Sequence, residues 1–194
     1  MLKIRTAIIT VSIVIAWAGA AGAQPPSIWS AAGITGAVDE TGLSIYQFNS
    51  SGSVSIKSSV SSGTLEIRYP VQTLPDLLMP QEGDCPELRV NLRDTGAGAR
   101  VVVRLVAMSI FPGSGTGLTT LGTIDSKATV ISGDPTQYRA YKTCLNRLPP
   151  NSEFLIDRAF FAYYVEAQLT KTTSTGNPGL MSVQICPSQD ACDP

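Results

Sequence analysis

The sequence predicts an all-β fold: a single antiparallel β-sandwich, of jelly-roll or immunoglobulin-like Greek-key type, with about eight to ten strands. Three observations favour this fold. Apolar and polar residues alternate in several segments, turn-forming residues separate those segments at short intervals, and the cysteines are four in number. All three patterns lie in residues 24–194. Residues 1–23 have instead the character of an export signal.

The amino terminus has the three parts of a cleaved signal peptide. Lys3 and Arg5 give it a positive start, an apolar stretch covers residues 7–18, and small residues continue to Ala23. Signal peptidase accepts small side chains before the cut, so we expect cleavage between Ala23 and Gln24. An uncleaved membrane anchor is the alternative, but a spanning helix needs about 20 apolar residues and this stretch is shorter.

The mature chain is predicted to be one domain, residues 24–194, which is long enough to bury about 70% of its unfolded surface. Two of the 14 basic residues and none of the 15 acidic ones lie in residues 1–23, which leaves a net charge of −3. No basic cluster is present, which argues against nucleic acid as a partner. No later apolar run is long enough to cross a bilayer, so we expect no stable membrane insertion and a secreted or periplasmic location.

Alternation of apolar and polar residues predicts the strands. In each alternating segment one face can be buried and the other wetted, as in an antiparallel sheet. The clearest segments are 65–69, 88–93, 163–169 and 181–185. In segment 88–93 this phase predicts exposed arginines at Arg89 and Arg93.

Three further segments are assigned on composition. Nine of the twelve residues in 100–111 are apolar, and Val101, Val102 and Val103 are β-branched, which predicts a strand covered on both faces for part of its length. The serine-rich stretch 50–62 is predicted to be a strand hairpin, because apolar Val54 and Ile56 alternate with serines. Segment 152–161 is the best helical candidate, and we expect one turn there.

The four cysteines, Cys85, Cys144, Cys186 and Cys192, predict two disulfides. A metal site is disfavoured because the chain has no C-x₂-C spacing and no histidine. Only five residues separate Cys186 from Cys192, so this short loop closes readily and leaves Cys85 to pair with Cys144. The rival pairing joins Cys144 to Cys186 and Cys85 to Cys192.

Two short motifs resemble catalytic sequences. Asp94-Thr95-Gly96 matches the core of an aspartic protease, but that chemistry needs two such carboxylates, and the spacing fits a hairpin turn. The glycine-rich segment 113–117 matches neither a phosphate-binding loop nor a nucleophile elbow, and we expect a flexible loop.

Catalysis by carboxylates is the remaining enzymatic route, because without histidine the Ser-His-Asp and Cys-His machineries are absent. Glycosidases use two carboxylates about 5–10 Å apart, and nothing in the sequence pairs two acids in this way. The available acids are Asp39, Glu40, Asp125, Asp157 and Glu166. We therefore predict that the protein is not an enzyme.

A ligand-binding face is predicted where aromatic and polar residues share one side of a strand. The candidates are Tyr164, Glu166 and Gln168, with Arg139 and Tyr141 nearby. Plain packing is the alternative for the tyrosines, because Tyr is a favoured strand residue. No segment has three closely spaced acids to support calcium, and we predict neither a metal nor a cofactor. Residues 49–51 also form an N-glycosylation sequon, which matters only in a eukaryotic host.

These observations predict a non-catalytic exported protein that acts through its surface in adhesion, assembly or envelope structure. The alternative is a module that binds a glycan or a small ligand, and a carboxylate-based hydrolase is the third hypothesis. The expected partner is a glycan or another extracellular protein.

Overall fold

The computed structural model describes residues 28–72, 77–78, 85–110, 117–128, 137–145, 154–156 and 158–187. These residues form thirteen strands and two 3₁₀ helices, Gly33–Thr35 and Glu40–Gly42. The strands are β1 Trp29–Ala32, β2 Ala37–Val38, β3 Tyr46–Phe48, β4 Val54–Ile56, β5 Gly63–Pro70, β6 Leu77–Leu78, β7 Glu87–Thr95, β8 Ala99–Ser109, β9 Leu118–Asp125, β10 Arg139–Cys144, β11 Phe154–Ile156, β12 Phe161–Lys171 and β13 Asn177–Cys186.

Two antiparallel sheets make up the fold. The six-stranded sheet has the order β10-β7-β13-β4-β3, with β1 also paired to β13, and the five-stranded sheet has the order β2-β5-β12-β8-β9. Strands β6 and β11 form a small third sheet. The predicted all-β sandwich is confirmed, and the strand number exceeds the predicted one because six of the strands have only two to four residues.

The core lies between the two large sheets and is built from the inward faces of their long strands. The four strands predicted from alternation are confirmed as parts of β5, β7, β12 and β13, and the apolar phase is buried in β5, β7 and β12. In β13 the phase is wrong at Met181, which is only partly buried, because the register shifts between Leu180 and Ser182 and places Leu180 in the core instead. In β8 the outward-facing Val102 and Val106 are buried as well, so this strand is covered on both faces for part of its length, as predicted.

The turn predicted at Asp94-Thr95-Gly96 is present, but it does not join a hairpin. Gly96 has a φ of +87°, which favours glycine, and the chain passes from β7 in one sheet to β8 in the other. Residues 172–176 make the same kind of crossing from β12 to β13, and Thr172 N–H donates to the Gly98 carbonyl over 2.8 Å. The two crossing turns therefore lie against each other at one end of the sandwich.

One helical turn was expected within residues 152–161. That prediction is wrong for Phe154–Ile156, which form strand β11. Aromatic and β-branched residues favour strands, and β6 provides a pairing partner through Phe154 and Leu78. The hairpin predicted in the serine-rich stretch is confirmed only in part. Strand β4 is present, but it pairs with β3, which lies before that stretch.

The disulfide between Cys85 and Cys144 is confirmed, with 5.5 Å between the Cα atoms. It joins the residue two positions before β7 to the last residue of β10, its neighbour in the sheet. The rival pairings of these two cysteines are therefore wrong. Cys186 is also disulfide-bonded, and its predicted partner, Cys192, lies outside the described residues.

The predicted signal peptide at residues 1–23, residues 113–116 of the glycine-rich segment and Asp157 also lie outside the described residues. Within the described part of the chain, no helix has the length and apolar character needed to cross a membrane.

Candidate functional site

A strip of charged and polar side chains crosses the outward face of the five-stranded sheet. Register pairing places Glu166 of β12 directly between Arg68 of β5 and Arg104 of β8. Gln168 stands opposite Glu66 in the next row. We call these residues the charged strip: Glu66, Arg68, Arg104, Tyr164, Glu166 and Gln168.

Glu166 lies at the centre of the strip, where its carboxylate contacts both arginines. Arg104 Nη1 donates to Glu166 Oε1 over 3.1 Å, and Arg68 Nε lies 3.9 Å from Glu166 Oε2. The carboxylate side chain is 21% exposed, whereas the side chains of Arg68 and Arg104 are 57% and 36% exposed. The carboxylate is therefore partly covered by guanidinium groups that remain open to solvent.

Two further contacts order the ends of the strip. Gln168 Nε2 donates to Glu66 Oε1 over 3.2 Å. The Arg68 guanidinium carbon lies 6.0 Å from the centroid of the Tyr164 ring, at the outer limit of a cation–π contact. The strip thus combines one aromatic ring with side chains that donate and accept hydrogen bonds.

The structure brings three of the five predicted ligand-face residues together: Tyr164, Glu166 and Gln168 share one face of β12. Arg139 and Tyr141 do not join them, because they lie on β10 in the other sheet. Tyr141 is only 4% exposed and belongs to the core. Burial raises the pKa of Tyr141, and the nearby charge of Asp94 raises it further. The position of Tyr141 therefore fits the alternative interpretation, in which the tyrosine packs in the core and binds no ligand.

Three of the acids considered for catalysis, Asp39, Asp125 and Glu166, contact arginines or turn donors. Asp125 accepts two hydrogen bonds from Arg100, at 2.6 and 3.1 Å, and this contact lowers the pKa of Asp125. Asp39 accepts from the hydroxyl and the backbone N–H of Thr41, which lowers its pKa. A carboxyl group that is kept ionised in this way is a poor general acid.

A polar cleft of about 400 Å³ opens beside the crossing turn from β12 to β13. Its lining includes the two basic residues Arg93 and Lys171, with amide and hydroxyl side chains around them. This cleft lies outside the sites predicted from the sequence. The available signal was Lys171, which continues the inward phase of Tyr163, Val165, Ala167 and Leu169, where an apolar residue is expected.

The described residues contain no group of three or more cysteine, aspartate or glutamate side chains placed to bind a metal ion. The predicted sequon asparagine, Asn49, lies in the turn between β3 and β4. Its Nδ2 donates to the hydroxyls of Ser53 and Ser55, so this nitrogen is used inside the hairpin.

The fold and the cysteine pairing define the class of protein: a disulfide-bonded, all-β sandwich. No protein-family model matches the chain, and no curated protein matches it by sequence.

Solved structures of similar fold come from carbohydrate-related and adhesin proteins. A family 11 carbohydrate-binding module from Clostridium thermocellum, in complex with a β-1,3-1,4-mixed-linked tetrasaccharide, is 14% identical with a TM-score of 0.38, covering 86% of this chain and 91% of that one. The K1 cleaved adhesin domain of Lys-gingipain from Porphyromonas gingivalis is 16% identical with a TM-score of 0.41, covering 82% and 97%.

A family two carbohydrate esterase from Cellvibrio japonicus is 10% identical with a TM-score of 0.40 over 82% of this chain, which spans only 33% of the esterase. All three TM-scores are low, so these likenesses carry no argument about what this chain binds.

Proposed function

We propose that this protein is an exported, non-catalytic recognition module that binds a glycan through the charged strip. The observation that carries the proposal is the position of Tyr164, Glu166 and Gln168 on one outward strand face, with the arginines of the neighbouring strands beside them. This proposal agrees with the prediction of a non-catalytic protein that acts through its surface. It adds that the ligand is a glycan, the ligand class that this face fits best.

A sugar ring offers an apolar C–H face and several hydroxyl groups. The ring of Tyr164 provides an aromatic surface for the apolar face. Each hydroxyl both donates and accepts, so it pairs with guanidinium donors and carboxylate or amide acceptors alike. The charged strip presents all of these groups within adjacent rows of the sheet.

The contacts inside the strip leave most of its hydrogen-bonding capacity free. A guanidinium carries five N–H donors and an ionised carboxylate accepts about four hydrogen bonds. Arg104 donates to Glu166 through Nη1, and Glu166 contacts only Arg104 and Arg68 among the described residues. These ion pairs fix the side chains before a ligand arrives, which reduces the entropy lost on binding.

Export is the second part of the proposal. The disulfide between Cys85 and Cys144 supports an oxidising compartment, and the predicted signal peptide gives the route to it. We infer that the mature protein acts in the periplasm or outside the cell.

Glycan-array binding of the exported protein, purified with its disulfides intact, tests the proposal. We expect binding to at least one glycan class and a loss of about two- to tenfold in affinity for Tyr164→Ala, because an aromatic contact contributes about 0.5–1.5 kcal/mol. Phe48→Ala is the matched control, since Phe48 is an exposed ring in the other sheet and should leave affinity unchanged.

Two results would contradict the proposal: no binding across the array, or equal affinity in the parent and in Tyr164→Ala. Release of shortened glycan on prolonged incubation would instead favour the hydrolase hypothesis.

A further inference from the structure

The cleft beside the crossing turn from β12 to β13 is a second site, separate from the charged strip. It lies on the other sheet, where β3, β4, β7 and β13 contribute lining residues next to the end of β12. Two cationic side chains, Arg93 and Lys171, line it, and no acidic residue does so among the described residues. The cleft therefore has a net positive lining.

Lys171 is a buried cation, only 2% exposed. Its Nζ donates to the backbone carbonyls of Lys57 and Ser58, at 3.3 and 3.4 Å. Both distances are long for a charge-assisted hydrogen bond, and an ammonium group has three donors. Within the described residues no carboxylate pairs with Lys171, so its charge is compensated only by neutral dipoles.

Arg93 is the second cation that has no carboxylate partner among the described residues. Its Nη2 donates to Asn177 Oδ1 over 2.9 Å, and its guanidinium carbon lies 4.9 Å from the centroid of the Tyr138 ring. Its Nε atom is buried and has no hydrogen-bond partner within the described part of the chain. A buried donor without an acceptor is unfavourable, and an anionic ligand bound to this guanidinium would offset that cost.

We propose that this cleft binds the carboxylate of an acidic sugar. A guanidinium presents parallel N–H donors that match the two oxygens of a carboxylate, and the Lys171 ammonium adds a second positive charge from inside the cleft. The anion would give both cations a negative partner, which neither has in the residues that the structure describes.

The remainder of the lining selects a sugar acid over a bare anion. Beside the two cations lie amide and hydroxyl side chains, those of Gln47, Asn49, Ser58, Ser174, Thr175 and Asn177. The amide nitrogens of Gln47 and Asn49 already donate to neighbouring side chains. The hydroxyls of Ser58, Ser174 and Thr175 would therefore pair with sugar hydroxyls, which both donate and accept. The volume of about 400 Å³ lies within the range of small-ligand sites.

Titration of the ¹⁵N-labelled exported protein with glucuronate, followed by NMR, tests the proposal. We expect glucuronate to shift the amide signals of residues that line the cleft, and to bind at least tenfold more tightly than glucose or acetate. Affinity should fall with added salt, because the main contact is between charges. Arg93→Gln should weaken glucuronate at least tenfold, whereas Lys127→Gln, which removes an exposed positive charge elsewhere, should leave it unchanged.

Lys171→Met separates binding from folding. Replacing a buried, unpaired charge by an apolar side chain of similar length is expected to keep or raise the melting temperature, while glucuronate affinity falls at least tenfold. Equal affinity for glucuronate and glucose would overturn the proposal, as would unchanged glucuronate affinity in Arg93→Gln. None of these outcomes depends on Tyr164. The charged-strip proposal is tested separately, by the glycan array with Tyr164→Ala.

Discussion

At the scale of single residues, a buried carboxylate on the six-stranded sheet is neutralised by its neighbours. Glu87 is 2% exposed and lies 2.7 Å from Arg89 Nε and 3.3 Å from Lys142 Nζ. The side chain of Arg89 is itself only 15% exposed. Alternation predicted the outward direction of Arg89 correctly, but the predicted exposure is wrong because the ion pair with Glu87 covers the side chain. Arg93, which was also predicted to be exposed, is likewise only partly exposed.

Arg89→Asp should lower the free energy of unfolding by about 3 kcal/mol, because it removes one partner of a buried ion pair and places a second carboxylate beside Glu87. Urea denaturation measures the change. Lys127→Asp makes the same change of charge at an exposed side chain and should cost under about 0.5 kcal/mol. Equal losses in the two variants would show that Arg89 contributes no specific contact.

Tyr69 fixes the first 3₁₀ helix to the core through one buried hydrogen bond. Its hydroxyl donates to the Gly33 carbonyl over 2.9 Å, and the side chain is 1% exposed, which raises the pKa of the phenol. Tyr69→Phe should lower the free energy of unfolding by about 1–2 kcal/mol, because the carbonyl loses its partner.

Thermal unfolding of Tyr69→Phe and Tyr46→Phe provides the comparison. The Tyr46 hydroxyl makes no hydrogen bond to another described residue, so its loss should change the melting temperature little. A melting temperature for Tyr69→Phe equal to that of the parent would contradict this assignment.

The pair between Arg100 and Asp125 gives a pH-dependent contribution with a definite sign. The hydrogen bond from Arg100 lowers the pKa of Asp125 below the ordinary value of 3.8, so its contribution is present above about pH 4 and is lost as the pH falls through the folded pKa. Because the Arg100 side chain is 53% exposed, we expect only about 0.5 kcal/mol.

Stability curves of the parent and Asp125→Asn from pH 7 down to pH 2 measure this contribution. The difference between the two proteins should close at the acid end. A difference that stays constant over the whole range would contradict the pKa assignment.

At the scale of strands, the disulfide between Cys85 and Cys144 strengthens the β7–β10 edge of the six-stranded sheet. The cysteines are 59 residues apart, and the chain-entropy model gives about 4 kcal/mol for a loop of this length. Cys85→Ser/Cys144→Ser should therefore lower the free energy of unfolding by roughly that amount, measured in urea.

The predicted disulfide between Cys186 and Cys192 closes a much shorter loop, worth about 2 kcal/mol in the same model. We therefore expect Cys85→Ser to reduce stability more than Cys192→Ser. The reverse order in urea would contradict the assignment of the main stabilising link.

The sequence predicts the long strands well because burial decides the phase of their side chains. Leu88, Val90 and Leu92 are buried in β7 as alternation requires. Strands of two or three residues, such as β2, β6 and β11, are too short to show a period. The sequence also does not predict that the Gly96 turn crosses from one sheet to the other. A turn sequence specifies local backbone geometry but not the sheet in which the next strand lies.

The candidate sites show the same limit. Alternation along β12 placed Tyr164, Glu166 and Gln168 on one face, and the structure has them there. The arginines that surround Glu166 belong to β5 and β8, and only the sheet order brings them together. The prediction that Tyr141 belongs to this face is wrong, because residue type does not reveal that β10 lies in the six-stranded sheet.

At the scale of the whole molecule, the two proposed binding sites lie on different sheets of the sandwich. The charged strip lies on the outward face of the five-stranded sheet, and the cleft with Arg93 and Lys171 lies on the six-stranded sheet, beside the crossing turn. The disulfide at the other end of β7 from Arg93 is outside both surfaces.

Chemical-shift mapping with the best glycan from the array is the most direct test of the central claim, that the charged strip binds a glycan. We predict that the largest amide shifts fall on β5, β8 and β12 around Arg68, Arg104 and Glu166, and that Tyr164→Ala reduces them. Shifts confined to the cleft, or spread over neither surface, would contradict the claim.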